Sequence, residues 1–300
     1  MVYKYLENSN TKKYLGIVIE RKHIKGNTKY DFVYKGVFTY LSFYFTDFTH
    51  FNNSMIDNMV HYIKSFIDNT HPVLSGIKKL HIIVVPTNIE KEFPKDKHLT
   101  SEHANNGFTT TFLADGSKEI FIYRYEDMYK VLLHEMIHYF DIDLKGKFKI
   151  RNDENTFLLD RFIDSTNYID LNEAYTETLA VYLYIVFTYR DINQQKREIE
   201  KHRIRFIRIM NALSSHAKEH GGQIIQQSHV YSYYVCRAVL FDHLDAFLKI
   251  VKIKNATENT KQVLCMMMDI LSKEDLNNKY SGYTTLKSMR SINISEKLSF

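Results

Sequence analysis

The chain has 300 residues, of which 44% are hydrophobic and 25% are charged, values ordinary for a globular protein with a substantial core. The net charge of +5 is mild and no recognisable nucleic-acid-binding motif accompanies it, so we do not expect a nucleic acid partner. Two cysteines, Cys236 and Cys265, do not indicate a disulfide framework, and we expect both to be buried thiols in a reducing compartment.

Neither a secretory signal nor a membrane span is indicated. The first residues contain no apolar signal core, and the longest apolar run, residues 179–187, is far shorter than the roughly 20 residues that a spanning helix needs. We therefore expect an intracellular, cytoplasmic protein. Abundant Lys, Asn, Ile and Tyr beside 3 Pro and no Trp are typical of an AT-rich genome, such as that of a large DNA virus or a low-GC microbe, and a viral protein would act in the host cytoplasm.

The first third of the chain mixes extended segments with one helix. Residues 14–24 and 28–38 predict two strands joined by a turn at Gly26 and Asn27. Residues 55–67 have apolar side chains at helical spacing, and residues 80–85 form a continuous apolar strand. The pattern predicts a strand-rich N-terminal region.

A second predicted hairpin comes directly before a helix that carries polar groups. Residues 105–112 and 118–124 predict strands joined by a turn at Asp115 and Gly116. One interpretation is an ordinary surface hairpin. The other is a sheet edge that binds an extended peptide by main-chain hydrogen bonds.

The predicted helix over residues 126–140 contains His134, Glu135 and His138 between apolar residues. Positions four apart lie on one face of a helix, so the two imidazoles can bind one metal ion while Glu135 lies beside them. A catalytic zinc site needs a third protein ligand and leaves one position for water. The next residues lack the third histidine that metzincins have at this point, which excludes that subclass.

Nearly all of the remaining chain predicts helices, over residues 171–189, 193–216, 228–251 and 260–272. The first of these opens with Glu173 and Glu177, one turn apart. Glu173 is a candidate third ligand, but Asp170 and Glu173 also have the spacing of a helix capping box. The two interpretations differ in the effect of replacing Glu173, because a ligand change removes the metal.

The two motifs together resemble those of the zincin metallopeptidases of the gluzincin type, in which two histidines of one helix and a glutamate of a second bind zinc. The resemblance implies one zinc ion per chain on His134, His138 and Glu173, with Glu135 as the general base. It further implies that Glu177 holds a metal histidine by its second nitrogen, a position where an aspartate is commoner in the family.

The same resemblance implies residues around the substrate. The edge strand would include Gly107, Phe108, Thr109 and Thr110, and would hold an extended peptide. Zincins of this type often supply a Tyr, His or Arg from a later helix to the oxyanion, and His229 and Tyr233 are the candidates here, although a tyrosine on a helix commonly belongs to the core.

These observations predict an α+β, zincin-like fold and a zinc-dependent peptidase. A strand-rich region with a mixed or antiparallel sheet (1–124) would precede a mainly helical region with the metal site (125–300), as one catalytic unit with the metal helix between sheet and helices. The expected partner is a peptide or protein substrate. Two alternatives stay open, a zinc-dependent hydrolase of non-peptide amides and a non-catalytic interaction protein with a structural or vestigial zinc site.

Overall fold

The computed structural model describes residues 24–46, 52–70, 77–88, 91–100, 103–110, 118–144, 171–221, 225–226, 230, 232–251, 265–266, 268–270 and 272–273. The strands are β1 (Ile24–Tyr34), β2 (Val37–Thr46), β3 (Lys79–Thr87), β4 (His98–Leu99), β5 (Gly107–Thr110), β6 (Glu119–Arg124) and β7 (Ile225–Gln226). The helices are α1 (Asn53–Thr70), α2 (Met128–Tyr139), α3 (Leu171–Thr188), α4 (Ile192–Glu219), α5 (Arg237–Asp242) and α6 (Leu244–Ile250), with a π-helical turn at Ser232–Cys236. The predicted α+β class is confirmed, with a mixed sheet in the N-terminal region and helices after it.

Five strands form one mixed sheet in the order β1-β2-β3-β6-β5. The central pairs β2/β3 and β3/β6 are parallel, whereas β1/β2 and β6/β5 are antiparallel. Gly107 pairs with Ile122 and Thr110 with Glu119, which confirms the predicted second hairpin, although its turn lies outside the described residues. In the described part of the chain β5 is an edge strand, so one row of its main-chain groups faces away from the sheet.

The first hairpin has a different turn from the predicted one. Gly26 and Asn27 lie inside β1, and the chain reverses at Lys35 and Gly36. Both turn residues have positive φ, 45° and 80°, as a tight hairpin turn requires. The register shifts between Ile24 and Gly26, so this glycine marks an irregularity in the strand instead of its end.

One hydrophobic core joins the sheet to the helices. Leu80, Ile82 and Val84 of β3 lie on one face of the strand and are at most 1% exposed. They belong to the same cluster of buried side chains as Leu133 and Ile137 of α2, and the cluster continues through α3 to α6. The division into regions 1–124 and 125–300 stays a prediction.

The predicted long helix over residues 228–251 is interrupted where the structure describes it. It consists of the π-helical turn, α5 and α6, with a break at His243. A π-helical turn shifts the direction of the side chains after it and is frequent at functional sites. Here it contains Tyr233 and directly precedes Arg237, two residues that approach the predicted metal site.

Two predictions concern the cysteines and membrane-spanning helices. Both cysteines are free, and Cys236 is buried as predicted, but Cys265 is exposed, so the prediction was wrong for that thiol. Of the helices that the structure describes, none has the length and apolar character needed to cross a membrane.

Candidate metal centre

Helix α2 brings His134 and His138 into the wall of a cavity. Asp127, with a φ of 59°, turns the chain from β6 into this helix, and aspartate is among the residues that tolerate the left-handed conformation. The helix is buried along most of its length because it packs against β5, β6 and α3. Its two histidines are one turn apart, and their Nε2 atoms lie 3.2 Å from each other.

Glu173 in the first turn of α3 completes a set of three possible ligands. One carboxylate oxygen lies 3.4 Å from His134 Nε2 and the other 3.5 Å from His138 Nε2. Bonds of about 2.1 Å at tetrahedral angles place ligand atoms about 3.4 Å apart. The three side chains can therefore hold one metal ion. Asp170, the partner in the alternative capping box, lies outside the described residues.

The second ring nitrogen of each histidine has a carboxylate partner. His134 Nδ1 lies 2.9 Å from Glu177 Oε2, and His138 Nδ1 lies 2.9 Å from Asp143 Oδ2. Asn172 donates to the same Asp143 oxygen at 3.1 Å. Such bonds fix the ring orientation and leave Nε2 as the metal-binding atom. Sequence reasoning anticipated Glu177 but missed Asp143, whose only signal is an acid five residues after the second histidine.

The surroundings of the histidines favour positive charge. Burial by itself lowers the pKa of His134, but hydrogen bonds to Glu173 and Glu177 and the charges of both carboxylates outweigh it and raise the pKa to about 10. The pKa of His138 is also raised, because its bond to Asp143 and the charge of Glu173 outweigh burial. A metal cation would satisfy the same carboxylates.

Glu135 lies beside the ligands, next to the edge strand. The Thr109 hydroxyl of β5 donates to Glu135 Oε2 at 2.9 Å. Burial raises the pKa of Glu135, and the charges of His134 and His138 and the Thr109 bond offset only part of this rise. A carboxylate with a raised pKa is suited to accept a proton and return it.

Strand β5 lies so close to α2 that Gly107 has no room for a side chain. A Cβ atom there would lie 2.8 Å from the Phe121 main-chain oxygen and 2.9 Å from Val131 Cγ1. The next close atom would be Glu135 Cγ at 3.4 Å. The edge strand is thus packed directly against the helix that carries the histidines.

A cavity of about 530 Å³ opens over the three ligands, within the range of small-molecule sites. Its wall includes Gly107, Phe108 and Thr109 of β5. Thr110 is not part of the wall, and its hydroxyl contacts the main chain of Glu119 across the hairpin.

Of the two candidates for the oxyanion, Tyr233 lies at the cavity and His229 lies outside the described residues. The Tyr233 ring centre is 6.2 Å from that of His134, and its hydroxyl lies 3.0 Å from Lys130 Nζ. Burial, followed by the charge of Glu177, raises the pKa of Tyr233 well above its ordinary value, so the hydroxyl keeps its proton. Sequence reasoning did not single out Lys130, because a lysine one turn before the motif ordinarily belongs to a solvated face.

No protein-family model matches the chain, and no curated protein sequence matches it. Among solved structures, the chain is similar to an aminopeptidase N family protein from Idiomarina loihiensis, with a TM-score of 0.36 and 14% identity over 90% of this chain and 45% of that one. The chain thus spans about half the length of that protein. Membership of the gluzincins stays a prediction.

Proposed function

We propose that the protein is a zinc-dependent metallopeptidase. The observation that carries the proposal is that ligand atoms of His134, His138 and Glu173 lie within 4.8 Å of one another in the wall of a cavity, with the Glu135 carboxylate beside them. A structural zinc site is normally closed by four protein ligands. Among the described residues three ligand atoms converge, and the nearby Glu177 and Asp143 are bonded to the outer histidine nitrogens.

Two imidazoles and one carboxylate suit zinc, which, when bound, would lower the pKa of water toward about 7 and polarise a carbonyl group. Glu135 takes the proton of the attacking water and then gives it to the leaving amine. The Tyr233 hydroxyl donates to the developing oxyanion.

The edge position of β5 supports a peptide as the substrate. An extended peptide can pair with the outer main-chain groups of Gly107, Phe108 and Thr109, which form part of the cavity wall. Such pairing recognises the main chain of the substrate and not a particular side chain. A non-peptide amide lacks the regularly spaced main-chain groups that pair along such an edge, which is why we favour a peptide.

The test compares wild-type protein with Glu135→Gln in zinc content and in hydrolysis of a fluorogenic peptide library. The change keeps the size of the side chain, so we expect one zinc per chain in both proteins. Because it removes the basicity of the side chain, we expect hydrolysis by the variant to be slower by about a hundredfold or more. The matched control is Glu198→Gln, on α4, whose carboxylate contacts Lys201.

Full activity of Glu135→Gln would overturn the assignment of Glu135 as the general base. Zinc-loaded wild-type protein that cleaves no peptide would overturn the proposed peptidase function. The control is expected to match the wild type in both measurements.

A further inference from the structure

Lys130 is a buried lysine that contacts two groups of the site. It lies one turn before His134 on α2, and its side chain is 1% exposed. The ammonium nitrogen lies 2.7 Å from Glu177 Oε1 and 3.0 Å from Tyr233 Oη. It therefore connects the carboxylate that orients His134 with the proposed oxyanion donor.

Glu177 accepts hydrogen bonds from three cationic or ring N–H groups of this arrangement. Its Oε2 bonds His134 Nδ1, while its Oε1 accepts from Lys130 and, at 3.1 Å, from Arg237 Nη1. The Arg237 guanidinium also lies over the Tyr233 ring, 4.9 Å from its centre. One buried carboxylate thus has two cations beside it in addition to the histidine, which is more than an ion pair needs for neutrality.

The chemistry of an ammonium group explains what the second contact of Lys130 does. It has three donors and no lone pair, so it can only donate to the phenol oxygen. The Tyr233 proton must then point to another acceptor, which is either Glu177 or a group in the cavity. Glu177 is within hydrogen-bonding reach of the Tyr233 hydroxyl. Because Glu177 also accepts from three other donors, an oxyanion that forms in the cavity competes with it for the Tyr233 proton.

We propose that Lys130 is a positioning residue for the Tyr233 hydroxyl, and that it ties this hydroxyl through Glu177 to the metal ligand His134. The inference rests on the proposed peptidase function and assigns a residue to its oxyanion step. A purely structural alternative is that Lys130 only neutralises Glu177. That alternative predicts that removing the ammonium changes stability or metal binding but acts independently of the Tyr233 hydroxyl.

A double-mutant cycle separates the two interpretations. The variants are Lys130→Met, Tyr233→Phe and the double variant, all zinc-loaded. The measurements are zinc content, kcat and KM, and the affinity for a phosphinic peptide of alanine residues, whose tetrahedral anion resembles the oxyanion. We expect Tyr233→Phe to lower kcat by about a hundredfold and Lys130→Met by about tenfold, with KM nearly unchanged. Both should weaken phosphinic peptide binding, and the double variant should match Tyr233→Phe.

If the two single effects on kcat multiply in the double variant, or if Lys130→Met has the kcat of the wild type, the proposed role of Lys130 is wrong. Either result leaves the proposed peptidase function intact. A wild-type protein that neither hydrolyses peptides nor binds the phosphinic peptide would overturn the peptidase, and the role of Lys130 with it.

A crystal structure of the zinc-loaded wild type with the phosphinic peptide keeps the inference testable if Lys130→Met fails to fold. We expect Tyr233 Oη to contact a phosphinic oxygen while Lys130 stays within hydrogen-bond distance of it. Loss of either contact would contradict the inference.

Discussion

Asp143 places a carboxylate beside His138 Nδ1, as Glu177 does beside His134 Nδ1. Burial by itself raises the pKa of Asp143, but the hydrogen bond and charge of His138 outweigh it and keep the pKa below its ordinary value. The residue therefore stays negatively charged beside His138. Such a charge raises the basicity of the imidazole and strengthens its bond to a metal.

We expect Asp143→Asn to weaken zinc binding by about ten- to a hundredfold, because the amide keeps the shape but loses the charge. Competition with a chelating dye measures the affinity. Asp141→Asn is the matched control, since its carboxylate contacts Lys118 and asparagine tolerates its positive φ of 56°. Equal affinity in the two variants would contradict the role of Asp143.

The sequence predicted the residues of the site that follow a local rule. His134, Glu135 and His138 share the spacing of one helical turn, and Glu173 and Glu177 repeat that spacing on α3. Asp143 and Lys130 were missed because their roles depend on which groups the fold places around them. The ammonium of Lys130 becomes part of the site only through Glu177 and Tyr233, 47 and 103 residues away in the chain.

Helices α4 and α5 pack around a histidine that is buried without a charge. His202 of α4 lies against Phe206 and Phe241, and its Nδ1 has no hydrogen-bond partner among the described residues. Burial lowers its pKa to about 3, with further lowering by the charges of Arg237, Arg205 and Lys130, against which Glu177 acts weakly. Charging this residue therefore opposes the packing of the two helices.

The sign of the pH dependence follows from this lowered pKa. Between its ordinary pKa of 6.5 and the folded value of about 3, the unfolded chain holds a proton at His202 that the folded chain lacks. His202 therefore contributes its full stabilisation above pH 6.5 and loses it as the pH falls toward 3. The loss is at most about 1.4 kcal/mol of unfolding free energy for each pH unit.

We expect His202→Leu to make the free energy of unfolding less sensitive to acid, because leucine keeps the apolar contacts and binds no proton. Urea unfolding at about pH 7 and about pH 5 measures the difference. Phe206→Leu removes apolar contacts from the same packing and alters no titrating group. It should lower the free energy of unfolding equally at both pH values. If His202→Leu loses as much unfolding free energy as the wild type between these two pH values, His202 is not the source of the acid sensitivity.

Element boundaries were harder to predict than the elements themselves. The apolar spacing of α1 and α2 was sufficient for both helices. The reversal at Lys35 and Gly36 was missed because Gly26 and Asn27 have equally good turn chemistry, and only pairing with β2 decides between them. The interruption at His243 has no proline or glycine to mark it. A tertiary contact lies next to it, because Arg203 of α4 donates to Asp242 Oδ1 at 2.7 Å.

The molecule as a whole places its chemistry where the sheet meets the helices. Edge strand β5 forms one wall of the cavity, α2 and α3 supply the three candidate ligands, and the π-helical turn brings in Tyr233. The α+β class followed from the order of strand and helix patterns. Local patterns alone do not indicate which strand lies at the sheet edge, because strand order depends on pairing between distant segments; the expectation for residues 107–110 came from the resemblance to zincins.

The proposed peptidase requires one zinc ion at this site. Anomalous diffraction at the zinc absorption edge, from crystals of the wild-type protein grown with zinc, locates the ion. We expect one strong peak per chain within about 2.2 Å of His134 Nε2, His138 Nε2 and a Glu173 carboxylate oxygen. A peak elsewhere, or none at these three side chains at saturating zinc, would contradict this expectation.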